Sequence, residues 1–470
     1  MKVVFVASEV FPLAKTGGLA DVCGALPLVL EKLGAQVTIF MPKYRCVDDK
    51  KVTLKKVHAG LYKTVLGKNV DVYLIEHPEF FSRDGLYGDA VGDYPDNLER
   101  FQYFCEQVLI QLKQVGVQPD IIHCHDWQSS LIPIYLKSKF SQDVFFKKTK
   151  TVLTIHNLAF QGIFDPSKFP HLHLDKKYFS MNGLEYYGKV NFLKGGIFFS
   201  DLITTVSPQY AQEIVTPRFG CGLDGVIKGH KHPVVGILNG VDTQHWDPST
   251  DTSIPMPYDT TNVSSNKPEN KQTLQKNLKL KQDVKVPLFG FVGRLSHQKG
   301  IDLIVDALQM LKELNLQIVI QGFGDQQYRE RLSSAAYRHP EKFAVNFDFS
   351  EELAHKVYAA SDFFLMPSHF EPCGLSQMIS MRYGTIPVAY KTGGLIDTIN
   401  PITEKMEGNG FLFSQYDSQT FVKTIKTAMG VFHQKKVMEK LIRQAMACDF
   451  SWNNSAKVYL DTYKKCLSSD

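Results

Sequence analysis

Short apolar runs alternate with longer amphipathic stretches along most of this 470-residue chain. In the first half the runs are "VVFVAS", "QVTIFM", "VDVYLI", "DIIHC", "TVLTI" and "LITTV". They are short and rich in β-branched residues, as strands are. Between them, apolar positions recur at helical spacing: Leu19, Val22, Leu26, Leu30 and Leu33, then Leu98, Phe101, Cys105, Val108 and Leu112. Pro27 inside the first of these helices predicts a kink or a new first turn. Strand and helix in regular alternation predict α/β architecture with a parallel sheet.

The rhythm fades between Asp247 and about residue 286, in "DPSTDTSIPMPYDTTNVSSNKPENK", and restarts with "PLFGFV", "LQIVIQ", "FAVNF", "DFFLM" and "IPVAY". The fold class expected is therefore α/β, with two Rossmann-like, doubly wound domains. Residues 1–246 would form the N-terminal domain and 247–450 the C-terminal one, entered through a polar linker to about 286. The tail 451–470 reads as a last helix with Trp452, Ala456, Tyr459 and Tyr463 on one face, an aromatic stripe that must be buried, back on the first domain.

Composition narrows the functions. The chain is 44% apolar and 21% charged, which fits a folded globular protein. Its net charge of +5 is spread along the sequence, so nucleic acid is not the expected partner, whereas one small, highly charged anion is. Eight cysteines without a C-x-x-C pair read as reduced thiols of a cytoplasmic protein. Glu9 interrupts the first apolar run, which reads as a strand and not as a secretion signal, and no run of about 18 apolar residues is present to span a membrane.

Candidate chemistry gathers after the predicted strands, where the open ends of parallel sheets bind ligands. "KTGGLAD" (Lys15–Asp21) is echoed by "KTGGLID" (Lys391–Asp397). Glycines before a helix, with a lysine nearby, make an anion cradle or merely a turn. "GFVGRLSHQKG" sets Arg294 and Lys299 in one Gly-bounded loop, a planar fork and a point charge suited to a diphosphate. In "HFEPCGLSQM", Glu371 offers a carboxylate to sugar hydroxyls, and Cys373, Gly374, Leu375 and Ser376 open a helix. "HCHDWQ" puts His123 and His125 on one strand face before Asp126 and Trp127, but a third metal ligand is lacking, so no metal is expected. His156 and Asn157 lie past another strand, and Asn239 and Asp242 in "LNGVD" past a further one. Neither G-x-G-x-x-G nor a P-loop occurs, which disfavours an NAD oxidoreductase or a P-loop NTPase.

Taken together and in order, "KTGGLADV", "HCHDWQ", "TIHNLAFQG", "ILNGVDTQHWDP", "GFVGRLSHQKGID" and "HFEPCGLSQM" resemble the bacterial glycogen synthases and plant starch synthases over nearly the whole chain. The resemblance implies a GT-B glycosyltransferase, with two domains facing across a cleft and closing on the donor. It also implies retaining transfer of glucose from a nucleotide sugar to the non-reducing end of an α-1,4-glucan, without a cofactor. It makes Arg294 and Lys299 the principal phosphate cations and Lys15, Gly18 and Asp21 donor contacts of the first domain. Gly374, Leu375 and Ser376 would donate to phosphate, and His156, Asn239, Glu371 and Cys373 would face the donor glucose. Asp126 and Trp127 would stand beside the reacting centre, with Asn157 and Tyr94, in "YPDNLERF", lining the cleft.

Two departures matter. Phe349 stands where the family has a tyrosine stacked on adenine, and Asp348 replaces the preceding glycine, which leaves UDP-glucose as a rival to ADP-glucose. Ile379 occupies the place of the second glutamate of the broader retaining signature, which disfavours a two-carboxylate mechanism. The remaining alternatives are a nucleotide-sugar epimerase on the same architecture and an inactive glucan-binding subunit. Oligomeric state is not legible. The second echo is expected to shape the structure more than to bind.

Overall fold

The structure, a computed structural model, describes residues 1–47, 52–89, 91–348, 350–405 and 407–468. Phe349, the candidate base-stacking residue, lies outside the described residues. The chain divides into two compact units: Met1–Gly240 with Trp452–Asp470, and Val241–Ser451. The first crossing falls six residues before the 246/247 boundary that the pattern predicts.

In the first unit the main sheet has the spatial order Val235–Gly236, Leu202–Thr205, Lys150–Ile155, Ile121–His125, Lys2–Val6, Gln36–Pro42, Val70–Ile75, Leu61–Leu66, Lys55–His58. All but the last two strands are parallel to their neighbours. From Lys2–Val6 the chain first winds outward through Gln36–Pro42, then returns to lay Ile121–His125 on the other side. That reversal is a topological switch point, where the helices on either side leave an opening at the carboxyl ends of the strands. The helix Gly18–Lys32 continues through Pro27, so no new helix starts there.

The helix Trp452–Ser468 belongs to this first unit and packs on Gly18–Lys32. It buries Trp452, Ala456, Tyr459 and Tyr463, the face its spacing marks. Tyr463 reaches the sheet itself, its hydroxyl 2.8 Å from His123 Nδ1.

The second unit holds a parallel sheet in the order Phe343–Asn346, Gln317–Gln321, Leu288–Val292, Phe363–Met366, Ile386–Tyr390, Phe411–Phe413. Its switch point lies between Leu288–Val292 and Phe363–Met366. An apolar core runs from Phe289 and Ile304 to Leu441.

The polar stretch before this sheet is not a loose linker. It contains the helix Val263–Asn277, whose buried residues are Val263, Lys267, Asn270, Lys271, Leu274 and Gln275. That spacing is helical, but most of the buried side chains are polar, so hydrophobic periodicity does not reveal it. Lys267 Nζ donates to Ala359 O (3.0 Å), Tyr383 O (2.9 Å) and Thr385 Oγ1 (2.6 Å), satisfying carbonyls at two helix C-termini. Burial draws this ammonium down to about 7. Lys271 pairs with Asp362 at 2.6 Å, and Gln275 donates to Gln317 Oε1 at 2.7 Å.

Candidate functional site

The first unit's switch point is built around a carboxylate. Beyond Lys2–Val6 the chain carries Glu9, 3% exposed, beneath the loop that opens the helix Gly18–Lys32. Glu9 accepts hydrogen bonds from Thr16 N–H, from Thr16 Oγ1 (2.7 Å), from Gly17 N–H (3.2 Å) and from the Tyr87 hydroxyl (2.6 Å). The first echo is thus an anion cradle, and for its Thr16 and Gly17 amides the anion is the protein's own glutamate. Lys15 and Asp21 lie together on its rim, Nζ 2.7 Å from Oδ1, with Lys15 over the Phe11 ring at 5.2 Å. Sequence reading treats Glu9 only as a break in an apolar run and passes over Tyr87. A glutamate just past a central strand is the signal that could have found the first.

Across the switch point, Asp126 follows Ile121–His125 with φ +55, an unusual conformation for a residue with a side chain. Its carboxylate accepts from His156 N–H at 2.7 Å, so the two loops are tied together. Burial pushes its carboxyl up to about 7, against the lowering effect of the His156 and Asn157 amides. His125 Nδ1 lies 2.9 Å from His156 Nε2. Burial holds His123 and His125 well below the usual imidazole range and brings His156 down to about 3, so all three rings are neutral near pH 7. His123 spends both nitrogens, on Thr154 Oγ1 and on Tyr463. Among the described residues His125 Nε2 has no hydrogen-bond partner, nor has the buried Oδ1 of Asn239.

Other expected residues have local work. Trp127 is 8% exposed among Phe101, Phe164 and Phe192. A β-carbon on Gly162 would come within 2.5 Å of its ring, so the indole is wedged under that loop. At that exposure it offers no open platform. The guanidinium groups of Arg83 and Arg100 lie 4.7 and 4.9 Å from the centre of the Tyr94 ring, and the Tyr94 hydroxyl accepts from Gly85 N–H. Asn157 Oδ1 accepts from Ala159 N–H, holding its own turn.

In the second unit the switch point brings Arg294, Lys299 and Glu371 onto neighbouring loops. Lys299 Nζ lies 2.7 Å from Glu371 Oε2, which also accepts from Ser368 Oγ at 2.9 Å; Glu371 is 4% exposed. Arg294 donates to Gln298 Oε1 at 2.9 Å, keeping its guanidinium on the same loop as Lys299. Gly300 has φ +70, and a β-carbon there would fall 1.9 Å from Pro367 O, so only glycine lets the two loops meet.

The second echo lies directly behind Glu371. Gly394 N–H donates to Glu371 O at 3.0 Å, and a β-carbon on Gly394 would fall 2.2 Å from Cys373 O. Gln377 Nε2 ties the same turn by donating to Cys373 O, Gly374 O and Thr398 Oγ1. Cys373 is buried, Gly374 has φ +74, and Leu375 caps the short helix Ser376–Arg382. The repeated seven residues thus do different work. The first loop wraps a carboxylate, and the second lets a helix start against the backbone that presents one.

The two units correspond to two family descriptions: "Starch synthase catalytic domain" matches residues 2–229 and "Glycosyl transferases group 1" matches 272–445. The chain is 45% identical to the glycogen synthase of Geotalea uraniireducens over 481 residues, covering 100% of this chain and 99% of that one. It is 44% identical to the glycogen synthase of Thermotoga maritima over 488 residues, with the same coverage. Among solved structures, the catalytic domain of starch synthase IV from Arabidopsis thaliana, bound to ADP and acarbose, is 34% identical with a TM-score of 0.92 over 99% of each chain. Sucrose-phosphate synthase from Thermosynechococcus elongatus, 17% identical with a TM-score of 0.65, shares the fold.

Proposed function

Because the chain belongs to the glycogen and starch synthase family of glycosyltransferases, we propose that it lengthens an α-1,4-glucan by retaining transfer of glucose from ADP-glucose to the terminal 4-hydroxyl. The observation that carries this reading is the arrangement at the second unit's switch point. Two cations, Arg294 and Lys299, share one loop beside a buried carboxylate, Glu371. ADP in the starch synthase IV structure supports adenine as the base.

The chemistry follows from charge. As the bond between the anomeric carbon and the diphosphate oxygen breaks, negative charge collects on the leaving group, and the Arg294 fork and Lys299 ammonium stabilise it. The bond to the acceptor oxygen forms on the face the diphosphate vacates, and the acceptor proton passes to a departing phosphate oxygen. Glu371, already oriented by Lys299 and Ser368, accepts hydrogen bonds from the glucose hydroxyls. In the first unit, neutral His156 and the amide oxygen of Asn239, which has no hydrogen-bond partner among the described residues, suit uncharged sugar groups. No step requires a metal. None of the eight cysteines is joined in a disulfide, which supports a reducing, cytoplasmic setting.

Radiolabelled ADP-glucose or UDP-glucose, supplied at equal concentration with glycogen and EDTA, tests the proposal by the label that becomes polymer-bound. The expected result is incorporation from ADP-glucose in excess of UDP-glucose. Preference for UDP-glucose would reassign the base. Label that stays soluble with both donors would remove the synthase reading in favour of an epimerase or a binding subunit.

A further inference from the structure

The second unit gathers two imidazoles and a carboxylate that glucose transfer does not use. Glu351 and His355 stand four positions apart in the helix Glu351–Ala360 and so share a face. His245 joins them from the loop after Val241, its Nε2 2.9 Å from Glu351 Oε1. One ligand atom from each of the three lies within 4.8 Å of the other two. A tetrahedral zinc ion with ligands at about 2.1 Å sets neighbouring ligand atoms about 3.4 Å apart. Small rotations of the half-exposed His245 and Glu351 side chains suffice to reach that spacing.

The third ligand is already prepared. His355 is 4% exposed, and its Nδ1 lies 2.7 Å from Asp251 Oδ2. Asp251 is itself fixed by the Tyr383 hydroxyl at 2.6 Å and by Ser253 N–H at 2.8 Å. The ring stacks on Trp246 at 4.1 Å. A carboxylate on one imidazole nitrogen puts the proton there and leaves the other nitrogen with its lone pair, the arrangement that supports histidines on metal ions. A surface His–Glu ion pair needs none of this second layer.

We propose that His245, Glu351 and His355 bind one divalent transition metal of the zinc type. Three protein ligands leave the fourth position to water, and the ion clips the loop carrying His245 and Trp246 to the helix Glu351–Ala360. The clip is structural and separate from the transfer chemistry.

The test is calorimetric titration of the metal-stripped full chain with zinc chloride under a non-chelating reductant, with bound zinc counted after gel filtration and thermal unfolding recorded in parallel. The wild type is expected to take up one equivalent and to unfold at a higher temperature with zinc. His245→Ala and Glu351→Ala each remove an outer ligand without touching the buried His355. Each should weaken binding by at least about 100-fold, more than the loss of a supporting partner costs, and abolish the thermal shift. A wild type that binds no zinc at tens of micromolar would overturn the proposal. So would variants that keep wild-type affinity, which would assign the zinc to thiols such as the exposed Cys46 and Cys221.

Discussion

Replacing Gly394 by alanine separates the two echoes most sharply. The new β-carbon would lie 2.2 Å from Cys373 O, 2.5 Å from Cys373 Cα and 2.7 Å from Cys373 C, all backbone atoms that no rotamer change can move aside. The helix start and the Glu371–Cys373 segment must part by about 1 Å to restore van der Waals distance. Such overpacking costs about 1–3 kcal/mol, and the Gly394 N–H to Glu371 O bond it breaks adds about 1 kcal/mol. A destabilisation of about 2–4 kcal/mol in urea unfolding is therefore expected. Because Glu371 moves with its backbone, kcat/KM for glucose incorporation into glycogen should fall about 100-fold, the penalty for misplacing a substrate-positioning group by about 1 Å. Gly17 in the first echo is the control. Its φ of −158 is extended backbone and nothing lies within 4 Å of an added β-carbon, so Gly17→Ala should cost under about 1 kcal/mol. A Gly394→Ala enzyme with wild-type stability and kcat/KM would refute the idea that this glycine presents Glu371.

Three further outcomes are expected. Arg294→Ala combined with Lys299→Ala should lower kcat for incorporation by at least about 1000-fold, a scale set by loss of preorganised charge stabilisation, while circular dichroism stays native; near-normal turnover would dismiss the diphosphate role. Asp126, raised from a free value of about 3.9 to about 7, holds a proton in the folded state that the unfolded chain releases, so it costs stability as pH rises through that window. The stability advantage of Asp126→Asn over wild type should thus grow by about 4 kcal/mol between pH 4 and pH 8.5 in urea titrations. His156, lowered to about 3 from about 6.5, acts in the opposite sense: its stabilisation is present above pH 6.5 and lost as pH falls. With the opposing carboxyl gone, the Asn variant should be the more steeply acid-labile protein, and parallel pH profiles would contradict the assignment. Finally, Lys267→Met should destabilise the protein by about 3 kcal/mol, since it strips a buried donor from Ala359 O, Tyr383 O and Thr385 Oγ1; a neutral result in thermal unfolding would show that those acceptors find other partners.

Much of the site is legible before folding because it is local. Arg294 and Lys299 are five residues apart in one loop after a strand, and the helix spacing of Trp452, Ala456, Tyr459 and Tyr463 marks its buried face without reference to what covers it. The helix Val263–Asn277 is not legible in the same way. Its inward face is lysine, asparagine and glutamine, and those side chains are buried only because the carbonyls and carboxylates that meet them come from elsewhere in the chain. Glu9 escapes notice for the same reason, since its meaning lies in Thr16, Gly17 and Tyr87 folding over it.

The sequence by itself determined the alternation of strands and helices, the family, and the residue types at each loop, because periodicity and motif are properties of neighbouring residues. Only the tertiary structure decided that Lys299 meets Glu371 across 72 positions, that Tyr463 reaches His123 across 340, and that two near-identical heptads do unlike work. Winding order sets where each sheet opens, and close packing sets what a glycine at that opening must avoid; neither is encoded within the span of a motif.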